Sequence, residues 1–316
     1  MAVITQAFVL GAGLGNRLRP LTDELPKPLI PIFQKPLISF AFDHLIDAGC
    51  EKLIVNTHRR PERFAEIFPE PVYRGGRLSF LNEPKLLGTG GGIRNALPSL
   101  GAEPFVVYSG DILTDFGLPP LLDEHVRAGN DVTLALRETP FPPSVALRGG
   151  RVVDIGGKYG QPGDYDFGNV SIWSPEIAGR IPPDRAMSFI PILTDAIGEG
   201  ARIGGVVLDD GHWFNIGSRK QYLEVHQTIA EEGWKPAYLG PNSGWPVRIA
   251  PDAIVDPSAV LSGFYSIGAS CRVGAGAKIE NTVLWPGAQI ASACQLRNCI
   301  VRSHQTAKGT HSDIDI

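Results

Sequence analysis

The residues best placed to do chemistry lie in one stretch near the start of the chain. Gly11-Ala12-Gly13-Leu14-Gly15-Asn16-Arg17-Leu18-Arg19-Pro20 follows a short apolar run, and Pro26-Lys27-Pro28-Leu29 comes soon after. Glycines let a backbone approach an anion and turn successive amides toward it. Arg17 adds a cation two residues past the last glycine, and Lys27 stands between two prolines on backbone of restricted φ. A rigidly presented lysine beside an anion-holding loop suits a phosphate that gathers charge during reaction. Singly, these residues have plainer readings: Arg17 as a solvated arginine at a helix start, Lys27 as an ordinary loop lysine. Their combination in 17 residues with three glycines favours phosphate chemistry. Two familiar phosphate loops do not fit. A dinucleotide fingerprint would need its third glycine at Asn16, and the next strand runs into Asn56-Thr57-His58 with no acid. A P-loop would need Gly-Lys-Ser/Thr, which is absent here.

Three further places could contribute. Asp111 follows an apolar strand and Gly110; it can hold Mg²⁺ against phosphate oxygens or cap the turn. Gly88-Thr89-Gly90-Gly91-Gly92 precedes a helix, and reads as a flexible turn or a site of close backbone approach. Glu83, just upstream, reads as a ligand contact or an exposed acid.

The elements that must position these residues alternate. Strands are predicted at Ala7–Leu10, Leu53–Val55, Leu78–Leu81, Phe105–Tyr108, Val132–Leu136 and Phe167–Trp173. Helices are predicted at Pro36–Ala48, Pro61–Phe68, from Gly92 to Leu97, at Leu118–Ala128 and at Ser218–Ala230. Such alternation predicts an α/β fold: a Rossmann-like, mostly parallel sheet with helices on both faces. Ligands then sit at the carboxyl ends of the strands, where the Gly loop and Asp111 fall. Residues 138–170 are Pro- and Gly-rich, with short β-like pieces at Val145–Leu147 and Arg151–Ile155; they read as an inserted hairpin that closes over a substrate.

Residues 1–235 form the expected catalytic domain, and 236–246 (PAYLGPNSGWP) a linker by composition. Bulky apolar residues then recur every six positions: Ile249, Val255, Leu261, Ile267, Val273, Ile279 and Trp285, with a step of five to Ile290 and six to Leu296. Hexads of this kind predict a short left-handed parallel β-helix over 247–303. The polar segment 304–316 reads as a frayed tail. The first domain should have a complete core before the linker and survive removal of the repeats, which would serve assembly into a homo-oligomer.

Composition narrows the partners. Lys and Arg number 29 against 33 Asp and Glu, so no basic surplus marks a nucleic-acid binder. No run of 18 apolar residues suggests a membrane span, and the N-terminus lacks the basic region of a signal peptide and reads as a first strand. Cys50, Cys271, Cys294 and Cys299 are scattered without a CxxC, which fits buried thiols in a reducing cytoplasm.

Together GAGLGNRLRPLTDELPKPLIPIFQKPLI, LGTGGGIRNAL (Leu87–Leu97), YSGDIL (Tyr108–Leu113), FGNVSIWSPEI (Phe167–Ile177) and HWFNIGSRKQYL (His212–Leu223) resemble the signature of the sugar-1-phosphate nucleotidyltransferases. With the hexad tail, the layout is most similar to the mannose-1-phosphate guanylyltransferase branch. The resemblance implies that a sugar-1-phosphate oxygen attacks the α-phosphorus of an NTP, releasing pyrophosphate, with Mg²⁺ as cofactor. It implies that Leu10, Gly11, Ala12, Gly13 and Gly15, with Glu83, Gly88, Thr89 and Gly90, hold the nucleotide. Arg17 would grip the departing pyrophosphate and Lys27 stabilise charge at the α-phosphate; Gly168 and Asn169 would meet the sugar. Asp111 would bind the metal. Two departures stand out. Gly156-Gly157-Lys158-Tyr159 occupies the region of the family's Glu-Lys-Pro, making Lys158 the candidate for the sugar phosphate. Trp213-Phe214-Asn215-Ile216-Gly217 carries Asn215 where the family has a second metal-binding Asp; an amide offers an oxygen without charge. GTP with mannose- or heptose-1-phosphate is the first expectation, UTP or dTTP with another hexose-1-phosphate the second. A non-catalytic nucleotide-sugar sensor and a hexapeptide acyltransferase are the other readings.

Overall fold

Apolar runs between turns become strands in a computed structural model that describes residues 4–316. The first three residues of the expected N-terminal strand region lie outside the described residues. The chain divides into two units: one holds residues up to Gly13 together with Phe40–Trp213, the other Leu14–Ser39 with Phe214–Ile316. The division runs through the glycine turn, whereas composition suggests a boundary only at 236–246.

In the first unit the strands are β1 (Gln6–Leu10), β2 (Lys52–Thr57), β3 (Val72–Tyr73), β4 (Gly76–Asn82), β5 (Phe105–Ser109), β6 (Val132–Arg137), β7 (Val145–Arg148), β8 (Arg151–Ile155), β9 (Asp166–Trp173) and β10 (Ile203–Val207). They form one sheet in the order β7-β8-β10-β6-β9-β5-β1-β2-β4-β3. Strands β5, β1, β2 and β4 are parallel, as are β6 and β10, while β9 runs antiparallel between β5 and β6. The centre is apolar on both faces, as a covered parallel sheet must be: Phe8, Ile54 and Val107 on one face, and Val9, Leu53, Val55 and Val106 on the other, are all buried. The registers Leu10↔Asn56, Leu10↔Ser109 and Thr57↔Asn82 bring the carboxyl ends of β1, β2, β4 and β5 to one edge. Arg137, at the end of β6, and Asp166–Gly168, at the start of β9, fall on the same edge.

The expected helices are α1 (Leu37–Asp47), α2 (Pro61–Ile67), α3 (Gly88–Ala96) and α4 (Pro119–Ala128). Helix α5 (Ile190–Gly198) and strand β10 were not predicted. Pro191 at the start of α5 and the Gly204-Gly205 pair within β10 mask their patterns. The hairpin expected to close over a substrate instead extends the sheet as β7 and β8, and β8 pairs with β10.

The second unit packs Leu14–Ser39 with helix α6 (Arg219–Glu232) and the C-terminal strands β11 (Ile254–Val255), β12 (Val260–Ile267), β13 (Arg272–Val273), β14 (Lys278–Leu284), β15 (Gln289–Ile290), β16 (Gln295–Arg297), β17 (Thr306–Ala307) and β18 (Thr310–Ser312). Two parallel stacks run β11-β13-β15-β17 and β12-β14-β16-β18. The partners Ile254↔Arg272, Arg272↔Gln289 and Gln289↔Thr306 advance by one coil of three hexads, or one residue fewer. Val273, Ile279, Ile290 and Leu296 point inward with Cys271, Ala277, Ala288, Cys294 and Cys299. Segment 304–316 is not frayed: β17 and β18 complete the two stacks, Ala307 is buried, and Asp315 pairs with Arg219. Its inward residue is a small Ala, so a search for bulky hexads stops one coil early. The 236–246 segment likewise packs, with Tyr238, Leu239 and Trp245 buried.

Three buried histidines make stability pH-dependent. Desolvation lowers His44 to about 3, and His125 and His226 to about 4. Each binds its proton in the unfolded chain near pH 6.5 but not in the folded one until pH falls much further. Their contribution is therefore complete above pH 6.5 and is lost as pH falls from 6.5 toward 4. The slope is at most about 4 kcal/mol per pH unit for the three together. Urea denaturation between pH 7.5 and 4.5 should show this loss, and His125→Gln should flatten it; an unchanged slope would contradict the burial assigned to His125.

Candidate active site

The glycine turn leaves β1 with its first two amides already engaged. Gly11 N–H and Ala12 N–H donate to Asn56 Oδ1 at 2.8 and 3.2 Å. Asn56 Nδ2 donates to Glu83 Oε1 at 2.7 Å, and Leu87 N–H donates to Glu83 Oε2 at 3.0 Å. Asn56 and Glu83 are each 1% exposed. The chain of bonds ties the turn after β1 to the segment that opens α3. It is possible because parallel β1, β2 and β4 deliver Leu10, Asn56 and Asn82 to adjacent positions on one edge. Two sequence expectations change here. The Gly11 and Ala12 amides point at protein, so ligand contacts from this part of the turn fall to Gly13, where a side chain would meet nothing within 4 Å. Glu83 is neither an exposed acid nor a free base reader; both carboxylate oxygens serve the scaffold. Asn56 was passed over in sequence as a missing acid; its signal is an amide side chain at the end of the strand next to the glycine turn.

Removing this amide should be costly. Asn56→Ala leaves two amides and one carboxylate oxygen unpaired in a buried place, so roughly 2–5 kcal/mol of stability should be lost. Urea denaturation reads this directly, and a loss below about 1 kcal/mol would show that the network is replaceable by water.

Gly88–Gly92 is not a loop before a helix but the first turns of α3. Low helix propensity made the glycines read as a turn; close packing accounts for them. A Cβ on Gly88 would lie 2.8 Å from the Met187 carbonyl oxygen, and one on Gly92 2.8 Å from Asn56 Nδ2. Gly90 N–H donates to Met187 O at 2.9 Å, and Thr89 Oγ1 accepts from Phe189 N–H at 3.2 Å. The close approach predicted here is therefore made by the 185–189 backbone, while Gly88 and Thr89 remain only partly buried.

Asp111 sits half-buried in the turn after β5, on the same edge, with Gly110 N–H donating to Leu10 O at 2.9 Å. Across β9, the register shifts between Phe167 and Ser171, a bulge that holds Gly168 and Asn169. Asn169 has φ 65°, and Gly168 O accepts from Trp213 Nε1 at 3.0 Å. Arg137 ends β6 beside them, buried, with its guanidinium 5.6 Å from the centre of the Trp213 ring. Lys158 is engaged elsewhere. Its ammonium pairs with Asp195 on α5 and lies over Tyr159, whose hydroxyl donates to Thr194 O. The structure gives it helix partners and no bond to the edge residues.

In the second unit Arg17 lies in a short 3₁₀ turn, Asn16–Leu18, entered through Gly15 at φ 62°. A Cβ on Gly217 would lie 2.9 Å from Arg17 Nη2, so the glycine gives the guanidinium its place beside the Asn215-Ile216-Gly217 turn. Lys27 opens a 3₁₀ turn whose neighbours Pro28, Leu29 and Ile30 are buried. Those neighbours pin the backbone while the lysine itself stays half-exposed. Asp111 and Asn215 belong to different units. Among the described residues, no three His, Cys, Asp or Glu side chains gather as a metal cluster.

A glycine turn and an acid at neighbouring strand ends, and a lysine presented between prolines, have known counterparts. Residues 6–144 match the nucleotidyl transferase family model. The chain is 31% identical over 246 residues to an N-acetylmuramate α-1-phosphate uridylyltransferase of Neisseria meningitidis, spanning 73% of this chain and all of that protein. It is 28% identical over 298 residues to a mannose-1-phosphate guanylyltransferase of Mycobacterium tuberculosis, spanning 91% of this chain and 82% of that one. A Bacillus anthracis crystal structure assigned as a glucose-1-phosphate thymidylyltransferase shares the fold, with TM-score 0.62 and 16% identity over 70% of this chain and 93% of that one. The chain belongs to the nucleotidyl transferase family, and it is an enzyme of the sugar-1-phosphate nucleotidyltransferase class.

Proposed function

We propose that the enzyme transfers a guanylyl group from GTP to mannose-1-phosphate or a heptose-1-phosphate, forming an NDP-sugar and pyrophosphate. The observation that carries the reaction class is the shared strand-end edge, where the glycine turn, Asp111 and the Gly168 bulge converge. The choice of base and sugar is supported by relatives: a mannose-1-phosphate guanylyltransferase, and a D-glycero-α-D-manno-heptose 1-phosphate guanylyltransferase of Aneurinibacillus thermoaerophilus 32% identical over 169 residues. Gly13 and Gly15 accept the nucleotide's phosphates. Lys27 neutralises charge gathering on the α-phosphate, and Arg17 holds the pyrophosphate as the bond to it breaks. The acceptor's phosphate oxygen attacks in line, so alignment of the two anions is most of the task.

Asp111 fits Mg²⁺, which usually takes one or two protein carboxylates and completes its shell with phosphates and water. Bound there, the ion would supply positive charge to phosphate oxygens. Asn215 would offer a neutral oxygen. Four buried, unpaired thiols support a reducing cytoplasm. The two parallel stacks support a short left-handed β-helix with a role in homo-oligomer assembly, which scattering of the full chain would test. Turnover of GTP and mannose-1-phosphate, followed by pyrophosphate release, tests the substrate assignment; faster turnover with UTP or dTTP would replace it.

A further inference from the structure

Among the described residues Arg137 is the one lysine or arginine that is buried. It is 9% exposed, yet its Nη1 has no hydrogen-bond partner, and among the described residues no carboxylate lies within ion-pair distance of the guanidinium. Two acids act on it through space, Asp209 and Asp115. Both are engaged with backbone: Asp209 Oδ1 accepts from Glu138 N–H at 2.8 Å, and Asp115 Oδ1 from His212 N–H at 2.6 Å. Burying a guanidinium costs free energy unless its planar fork of donors is used. The fork here is oriented by the Trp213 ring, which is itself pinned through Nε1 to Gly168 O. Arginine, indole and the Gly168–Asn169 bulge make one wall of the edge. The sheet order β6-β9-β5-β1 puts Arg137 three strand spacings from the glycine turn, about 14 Å, and the bulge two. That separation suits the acceptor rather than the NTP's phosphates.

We propose that Arg137 is the residue that grips the phosphate of the sugar-1-phosphate, in the role for which Lys158 was the sequence candidate. Its donors match two oxygens of a phosphate monoester, and Trp213 presents a flat face beside Gly168 for the sugar. The proposal rests on the nucleotidyl-transfer reading.

The test uses the full-length enzyme, with GTP, UTP and dTTP each against mannose-1-phosphate and glucose-1-phosphate. With the best pair, Arg137→Met should raise KM for the sugar phosphate about 30–100-fold and leave KM for the NTP within about threefold. Arg137→Lys, keeping a point charge without the fork, should recover part of the loss. Calorimetric titration of the sugar phosphate alone should weaken in the same proportion. Equal rises in both KM values with a lowered unfolding midpoint would mean a purely structural arginine and overturn the proposal. So would a rise confined to the NTP, or no rise in either. A wild-type enzyme inactive on every pair would instead overturn the reading beneath it, and the titration would still decide whether Arg137 binds a sugar phosphate.

Discussion

Lys27→Ala should lower turnover by about 10²–10³ while nucleotide affinity falls far less, the scale of losing one electrostatic contact made chiefly in the transition state. The backbone that presents the lysine is anchored by its neighbours. Pro28, Leu29 and Ile30 are buried, and Leu29 N–H donates to Pro26 O at 2.8 Å. The variant should therefore fold like the wild type, and the loss should appear in kcat rather than in a melting curve. Steady-state kinetics at saturating NTP measures it. An unchanged kcat would remove Lys27 from the chemistry; an equal loss in kcat and stability would make it structural.

Ending the chain after Gly240 should abolish folding of the second unit, against the sequence expectation that the core is complete before the linker. The segment that carries Lys27 is fastened to α6 and to the C-terminal residues of the same unit. Tyr222 OH donates to Pro31 O at 2.6 Å and accepts from Trp285 Nε1 at 3.0 Å. Trp245 Nε1 donates to Ile32 O at 3.0 Å, and His226 Nε2 accepts from Phe33 N–H at 3.4 Å beneath the Phe264 ring. Removing Trp245, Phe264 and Trp285 strips about 1.5–3 kcal/mol of burial for each, a large part of the roughly 5–15 kcal/mol that holds an ordinary domain together. The shortened chain should be insoluble or lack near-UV circular dichroism. A soluble product with native near-UV signal and turnover would show that residues 241–316 serve assembly alone.

Much of the fold was legible because its strands are apolar runs bounded by turns, and because β1, β4 and β5 carry their candidate residues just past their ends. What escaped was encoded in packing rather than pattern. The glycines of α3 look like a loop until the 185–189 backbone is seen lying against them. Pro191 and Gly204-Gly205 hide α5 and β10 from any propensity count. Trp245 in a Pro-rich segment and Ala307 in a polar tail give no periodic signal, yet both are buried. At the site, motif residues were found by type and spacing, but the sequence could not say which amides were already engaged. Asn56, a single side chain accepting from Gly11 and Ala12, belongs to no motif. Arg137 falls one residue past the predicted strand Val132–Leu136 and belongs to no motif. Lys158 is a candidate by its place in the sequence alone, and its ammonium pairs with Asp195 on α5, a helix whose Pro191 masks its pattern.

Pyrophosphate release, measured for four NTPs crossed with mannose-, glucose-, heptose- and N-acetylmuramate-1-phosphate, decides whether the enzyme makes an NDP-sugar. Stoichiometric pyrophosphate and NDP-sugar are expected, greatest with GTP and mannose- or heptose-1-phosphate. A folded full-length chain that binds nucleotide yet releases pyrophosphate with none of the sixteen pairs would contradict that activity.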